Sequence, residues 1–144
     1  MFVDSHCHLD RLELDKLGLT LEQVIARAQA EQVQHMLCVC VSLAEFAQMA
    51  DKVAAFSNVS VSCGEHPLHQ QDNVDPDQLL QLCALPAVVA VGETGLDYFR
   101  LKGDLEWQRE RFRVHLRAAN VCLKPVIVHT RAAGDDTLRI LQEE

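Results

Sequence analysis

The sequence has few basic residues relative to its acidic ones. Across 144 residues, 13 lysines and arginines stand against 21 aspartates and glutamates, so the formal net charge is −8. This balance argues against tight, sequence-independent binding to a phosphate backbone, which requires clustered lysines and arginines. It does not exclude a nucleic acid as substrate, because bound divalent cations can reverse the local field where the chemistry takes place.

Long hydrophobic runs are also absent, and no apolar stretch approaches the roughly 20 residues of a transmembrane helix. The first residues include Asp4 and His6 and lack the basic segment followed by an apolar stretch that marks a secretory signal. We therefore expect a cytoplasmic chain with no membrane contact. The composition, 49% hydrophobic and 24% charged, is that of a globular protein, and the length suits one domain over residues 1–144.

The six cysteines form no CxxC pair. Most of them lie inside apolar runs, such as Cys38 and Cys40 in "HMLCVCV". In a cytoplasmic protein such residues behave as small, reduced hydrophobic side chains, which is what we expect here. A disulfide framework is the less favoured alternative, because it requires an oxidising compartment.

Short apolar runs alternate with amphipathic stretches along the chain. The runs are rich in valine and largely apolar on both faces, which is typical of strands buried in a parallel sheet. Capping boxes at Thr20–Gln23 and Ser42–Glu45 predict where the first two helices begin. The five runs are "MFVDS", "HMLCVCV", "VSVSC", "AVVAVG" and "PVIVH".

A final helical pattern follows the fifth run, with Asp135 or Asp136 as its cap and Leu138 and Leu141 as its apolar face. Five strand–helix units in a row predict a parallel α/β sheet, either doubly wound or a (β/α) barrel. The absence of a GxGxxG turn after the first run weighs against a dinucleotide-binding fold. Because a complete TIM (β/α) barrel typically needs about 250 residues, the sequence predicts about the first five βα units of one.

Imidazole and carboxylate side chains recur where the predicted strands end. His6 and His8 close the first strand, and His66 follows the third. Glu93 follows the fourth strand, and His129 ends the fifth. The carboxyl ends of parallel strands lie on one side of the sheet, and in a barrel that side carries the active site. We therefore expect these side chains to meet at a shared rim.

The residue types at this rim are those of a metal site. Residues two apart on a strand point the same way, so His6 and His8 can direct both rings at one ion. Glu93 can bridge two ions because a carboxylate has two oxygens, and His129 would then serve the second ion. Two metals about 3.5–4 Å apart activate a water and stabilise the leaving oxygen of a phosphoester. Each feature alone has an ordinary explanation, such as a cap or a core histidine, but their coincidence favours a metal centre.

Other polar residues give weaker signals. His66 before Pro67 is either a site residue or part of a turn, and Arg131 faces either a substrate phosphate or a surface salt bridge. Asp97 and Tyr98 are expected to shape a loop rather than to react. Three further histidines are assigned no role, namely His35, expected to be exposed, and His69 and His115, expected in polar surroundings.

Four motifs, "DSHCHLD", "SCGEHP", "VGETGLDY" and "KPVIVHTR", occur in this order. Together they resemble the TatD-type metal-dependent deoxyribonucleases, close to the YcfH-like members, over the whole chain. The resemblance implies a TIM barrel of the metal-dependent hydrolase type that cleaves phosphodiester bonds with divalent metals. It also implies that His6 and His8 bind one metal, that Glu93 bridges the two metals, and that His129 binds the second.

The resemblance carries three departures. The family takes two further ligands, a histidine and an aspartate, from later strands, and we expect those C-terminal units to be absent from this chain. Glu65 stands where an apolar residue is usual in the family. Ala132 stands where an acidic residue is common. Neither position is a presumed ligand, and both bear on the substrate contacts.

The sequence thus predicts a metal-dependent hydrolase, specifically a TatD-like deoxyribonuclease with Glu93 as its catalytic residue. Two divalent ions (Mg, Mn or Zn) are the expected cofactors and DNA the expected substrate, with His66 and Arg131 as candidate substrate contacts. Two alternatives stay open: a metal hydrolase of another ester or amide, and an inactive truncated fragment with a partial metal site. The open edges of a partial barrel would also invite self-association.

Overall fold

The computed structural model describes residues 1–69 and 74–144. Strands and helices alternate through these residues, and a short 3₁₀ turn at Leu9–Arg11 follows the first strand. In chain order the elements are β1 (Phe2–Cys7), α1 (Leu14–Leu17), α2 (Leu21–Ala30), β2 (Val33–Cys38), α3 (Phe46–Val53), β3 (Val59–Cys63), α4 (Pro76–Cys83), β4 (Val88–Asp97), α5 (Glu106–Cys122), β5 (Val126–Arg131) and α6 (Gly134–Glu143).

The five strands form one sheet in the order β1-β2-β3-β4-β5, and every neighbouring pair is parallel. Sequential parallel strands joined by helices are the arrangement of a (β/α) barrel, whereas a doubly wound sheet reverses its strand order. The prediction of a partial TIM-type barrel is therefore confirmed. All five strands deliver their carboxyl ends to the same rim.

The helices pack on the sheet through two apolar clusters. The larger lies under α2, α3 and α4 and includes Leu79 and Cys83, each fully buried. The smaller joins α5 and α6 to the end of β4 through Phe112, Leu96 and Ile140, which are also fully buried. All six cysteines are free thiols, and four of them are buried, as expected for reduced apolar side chains.

The first predicted capping box forms and the second does not. At Thr20–Gln23 the two reciprocal hydrogen bonds measure 3.3 and 2.9 Å. Helix α3 begins only at Phe46, after a turn in which the Glu45 N–H donates to the Ser42 carbonyl at 3.2 Å. The Glu45 carboxylate pairs instead with Arg11, so a tertiary ion pair replaces the local cap.

Helix α6 also differs from its prediction. Asp136 accepts a hydrogen bond from the Tyr98 hydroxyl at 2.6 Å instead of capping the helix. Ile140 faces the core, whereas Leu138 and Leu141 are exposed to 63% and 43%. Helix α6 therefore buries only part of its apolar residues in this structure.

Strand β1 is not buried on both faces as predicted. Five of its six residues are exposed, among them Phe2 and Val3. In the described sheet β1 pairs only with β2, so one side of it has no neighbouring strand. Interior strand β4 is buried almost throughout, as the sequence predicts.

Among the described helices, none is both long enough and apolar enough to cross a membrane.

Phe112 of α5 packs in the same buried cluster as Leu96 of β4. Truncation of the Phe112 side chain tests how much this packing stabilises the fold. We expect Phe112→Ala to lower the free energy of unfolding by about 3–5 kcal/mol, because it leaves a cavity among buried side chains. The matched control is Leu138→Ala on α6, whose exposed side chain should change this energy by no more than about 0.5 kcal/mol. Urea unfolding followed by circular dichroism measures both, and equal effects would contradict the described packing.

Candidate metal centre

The residues predicted to form the site lie together at the rim. His6 is the last but one residue of β1, and His8 follows the end of that strand. Glu93 lies within β4 and His129 within β5. His66 lies in the segment after β3. The structure thus brings four separate chain segments to one place, which is the arrangement that the strand-end pattern predicts.

The Glu93 carboxylate lies between the imidazoles. One oxygen, Oε2, is 3.3 Å from Nε2 of His6. The other, Oε1, is 3.3 Å from Nδ1 of His129 and 3.9 Å from Nε2 of His66. Glu93 itself is only 9% exposed. Each of its oxygens therefore faces a different set of ring nitrogens.

These contacts define two trios of potential metal ligands that share Glu93. His6, His8 and Glu93 form one, and His66, Glu93 and His129 form the other. Within each trio, one ligand atom per residue lies within 4.8 Å of the others. Mixed imidazole and carboxylate donors suit divalent cations such as Zn²⁺, and oxygen donors admit Mn²⁺ or Mg²⁺.

His8 is held in one tautomer by the backbone. Its Nδ1 lies 2.9 Å from the carbonyl oxygen of Val39, which can only accept a hydrogen bond. Nδ1 therefore carries the hydrogen, and Nε2 carries a free lone pair. Metal-binding histidines typically donate their other N–H in this way, so His8 has the hydrogen-bonding pattern of a ligand.

Asp97 orients His129 in a similar way. This carboxylate is 1% exposed, and its Oδ2 lies 3.1 Å from Nε2 of His129. Burial alone would raise the pKa of Asp97, but hydrogen bonds from the Arg100 N–H and from His129 lower it overall. With the Nε2 hydrogen directed at Asp97, the Nδ1 lone pair of a neutral His129 faces Glu93. Nδ1 of His129 and Oε1 of Glu93 would then be two acceptors 3.3 Å apart, an arrangement that suits a cation bound by both.

Asp97 also shapes the loop after β4, as the sequence predicts. Its Oδ1 accepts the backbone N–H groups of Phe99 and Arg100 at 3.1 and 2.9 Å. Its contact with His129 was missed from the sequence. The available signal was spacing, since Asp97 lies four residues after Glu93 and alternate residues of a strand share a face.

His66 has a different hydrogen-bonding pattern from His8. Its Nδ1 accepts the backbone N–H of Leu68 at 3.2 Å, so the neutral ring carries its hydrogen on Nε2, toward Glu93. Burial lowers the pKa of His66 to about 4; Glu93 opposes the shift, and His129 adds to it. A neutral ring with its lone pair already engaged is better suited to donate a hydrogen bond than to bind a metal.

Gln108 on α5 ties the His66 segment to the end of β4. Its side chain is fully buried, and its Oε1 accepts the Asp97 N–H at 2.8 Å. Its Nε2 donates to the Pro67 carbonyl at 3.0 Å. Sequence reasoning missed this residue because a helical glutamine resembles a surface residue. Its position four residues before buried Phe112 places it on the inward stripe of α5.

His115 is buried rather than in polar surroundings, which corrects the prediction. Its Nδ1–H donates to the Arg111 carbonyl at 2.8 Å, and its Nε2 accepts the Glu65 N–H at 3.0 Å. Only the neutral ring can make both bonds, and burial lowers the pKa of His115 to about 4. His115 thus fixes the backbone next to His66.

Two other histidines have definite contacts. His69 pairs with the buried Glu65 carboxylate, which also accepts the Leu43 N–H at 2.7 Å. His35, predicted to be exposed, is half-buried, and its Nε2 lies 2.8 Å from the Ser60 hydroxyl. Neither histidine belongs to the ligand trios around Glu93.

Arg131 is exposed at the end of β5. Its guanidinium lies over the ring of Phe99, 4.1 Å from the ring centre. Within residues 1–69 and 74–144 it forms no ion pair, so the predicted alternative of a surface salt bridge is not realised there.

Comparison with known proteins identifies similar chains. A family model described as TatD related DNase matches residues 3–144. The chain is 46% identical over 142 residues to an Escherichia coli K12 protein named "Uncharacterized metal-dependent hydrolase YcfH", covering 99% of this chain and 54% of that protein. A human protein named "Deoxyribonuclease TATDN3" is 29% identical, at 99% and 56% coverage.

A solved structure supports the fold. The crystal structure of YjjV, a TatD homologue from Escherichia coli K12, matches with a TM-score of 0.84 at 28% identity. The match covers 99% of this chain and 55% of that one. The chain spans about half the length of the curated relatives that it matches.

The buried His115 makes stability depend on pH. Between pH 6.5 and about 4 the unfolded chain binds a proton at this ring that the folded chain does not. The free energy of unfolding should therefore fall by about 3 kcal/mol from this group as the pH is lowered through that range, and be fully retained above it. His115→Gln keeps a donor and an acceptor without titrating, so we expect a shallower dependence.

Urea unfolding at a series of pH values measures this difference. The control is Leu116→Ala on the same helix, which should lower stability by a similar amount at every pH. Parallel wild-type and His115→Gln curves would contradict the assignment.

Proposed function

The chain belongs to the TatD-related DNase family, and we propose that its rim cluster is a two-metal centre for hydrolysis of phosphodiester bonds in DNA. The observation that carries the proposal is the position of Glu93, with one oxygen toward His6 and the other toward His129. A carboxylate with each oxygen directed at a different imidazole set can contribute to two neighbouring cations.

Each residue has a separate role in this proposal. His6 and His8 would hold one cation and His129 the other, with Glu93 contributing to both. Bound cations would supply an activated water and neutralise charge on the phosphate. His66 would donate its Nε2 hydrogen to a substrate oxygen, because its other nitrogen already accepts from Leu68.

Asp97 is a positioning residue in this proposal. It keeps the Nε2 hydrogen of His129 directed away from Glu93 and so leaves the Nδ1 lone pair toward the cluster. It contacts neither the cluster's shared carboxylate nor the substrate in our assignment. Its effect is therefore expected in metal affinity.

DNA as substrate is supported by the four motifs and by the name of the human relative, a deoxyribonuclease. A net charge of −8 would repel a polyanion, and cations at the rim would reduce that repulsion close to the cluster. Another ester or an amide as substrate is a separate outcome of the same experiment.

Removal of one charge at the centre tests the metal assignment. After chelator treatment and dialysis, we expect the 144-residue chain to bind Mn²⁺ or Zn²⁺, as measured by isothermal titration calorimetry. Glu93→Gln should weaken this binding by on the order of 100-fold or more and abolish metal-dependent nucleotide release from single-stranded DNA. His35→Gln, in the amino-terminal half of β2, is the matched histidine control and should change neither.

One outcome would contradict the metal centre, and a different outcome would contradict DNA as the substrate. A folded wild-type chain that binds no divalent cation would exclude the metal centre. Metal-dependent cleavage of small esters or amides, with none of DNA, would keep the centre and exclude the nuclease assignment.

Substitution of the carboxylate behind His129 tests the positioning role. Asp97→Asn keeps an oxygen for the Phe99 and Arg100 N–H groups but removes the charged acceptor for the ring. We expect metal affinity to fall about 10–100-fold, as for other partners of metal-binding histidines. Unchanged affinity in the calorimeter would show that His129 needs no such support.

A further inference from the structure

An exposed aromatic ring and an arginine are stacked at the rim. Phe99 follows the end of β4, and its side chain is 57% exposed. The Arg131 guanidinium covers part of its face, at 4.1 Å from the ring centre. A single exposed phenylalanine is ordinary by itself, but a ring covered in part by a guanidinium forms a flat, positively charged surface.

The pair is fixed next to the Glu93 cluster. Arg131 is the register partner of Asp97, and the Tyr98 N–H donates to the Arg131 carbonyl at 2.9 Å. Arg131 lies two residues beyond His129 on the same strand, which places it about 6–7 Å further along and on the same face. The carboxylate of Asp97 that orients His129 also accepts the Phe99 N–H.

The positive charge at this position is not neutralised. Five arginines elsewhere in the described residues form ion pairs with carboxylates, namely Arg11, Arg109, Arg113, Arg117 and Arg139. Arg131 forms none within the part of the chain that the structure describes. In a chain with a net charge of −8, Arg131 therefore places a positive charge two residues beyond His129.

We propose that Phe99 and Arg131 form a stacking platform for a base of single-stranded nucleic acid, adjacent to the Glu93 cluster. The choice of nucleic acid rests on the proposed function. A base has two flat faces that stack on an aromatic ring or on a guanidinium plane, and the charge of Arg131 suits the neighbouring phosphate. A base is accessible for such stacking only when it is unpaired, so the platform selects single strands.

The proposal requires that bases, and not only phosphates, contribute to binding. We would measure fluorescence anisotropy of a labelled ten-nucleotide oligo(dT) and of an abasic oligonucleotide of the same length, both in EDTA. One stacked base contributes on the order of tenfold to a hundredfold in affinity, and the wild-type chain should prefer oligo(dT) by about that factor. Phe99→Leu should reduce the affinity for oligo(dT) to the abasic level.

Two further variants separate stacking from charge. Arg131→Lys keeps the charge and loses the planar group, so it should lower the preference for oligo(dT) over the abasic strand. Arg27→Gln removes an arginine on α2 that also forms no ion pair among the described residues, and it should leave both affinities unchanged.

A fluorescent reporter gives an independent readout. In a Trp107→Phe background, Phe99→Trp introduces an indole at the platform, and oligo(dT) should quench its emission while the abasic strand should not. Equal wild-type affinity for the two strands, no binding of either strand, or unchanged oligo(dT) affinity in Phe99→Leu would each overturn the platform. Because binding is measured without metal, these outcomes are independent of whether the metal centre binds cations or hydrolyses DNA.

Discussion

Parallel pairing of β4 with β5 is the constraint on which the rim depends. Gly95 allows the close approach of the two strands, since a Cβ at this position would lie 2.1 Å from the His129 carbonyl oxygen. Its φ of +131° is also one that side-chain-bearing residues rarely adopt. Close pairing here sets His129 between Glu93 and Asp97, and both contacts of the His129 ring follow from it.

Backbone groups divide the histidines of the rim into two kinds. The Val39 carbonyl takes the hydrogen of His8 and leaves a lone pair at Nε2, whereas the Leu68 N–H occupies the lone pair of His66 and leaves a hydrogen there. The same side chain is thereby made an electron-pair donor at one point and a proton donor at another. The division needs no difference in side-chain type, so the sequence alone does not reveal it.

The sequence predicts those features of the site that follow from the order and direction of the strands. His6, His8, Glu93 and His129 could be assigned to one rim because parallel strands deliver their carboxyl ends together. Contacts made by α5 could not be assigned in the same way. Spacing from Phe112 places Gln108 and His115 on the inward stripe of α5. The backbone groups that they meet depend on where the whole helix lies on the sheet, which local sequence does not encode.

Errors at the two ends of the sheet have a related cause. Phe2 and Leu138 were expected to be buried because each belongs to an apolar pattern, yet both are exposed. An apolar pattern shows which side chains are suited to packing against others. It does not show whether a strand or helix of the described sheet lies against them. Ser42–Glu45 failed as a cap for a comparable reason, since Arg11 from another segment engages the Glu45 carboxylate.

The open sides of β1 and β5 in the described sheet also determine where a further strand can bring a donor group to the Glu93 cluster. A strand from any source can join this sheet only at one of these two sides, and only one that runs parallel brings its carboxyl end to the rim. Joining at β1 would place its last residues beside His6, and joining at β5 would place them beside His129. The side on which such a strand joins thus decides whether its last residues lie nearest His6 or His129.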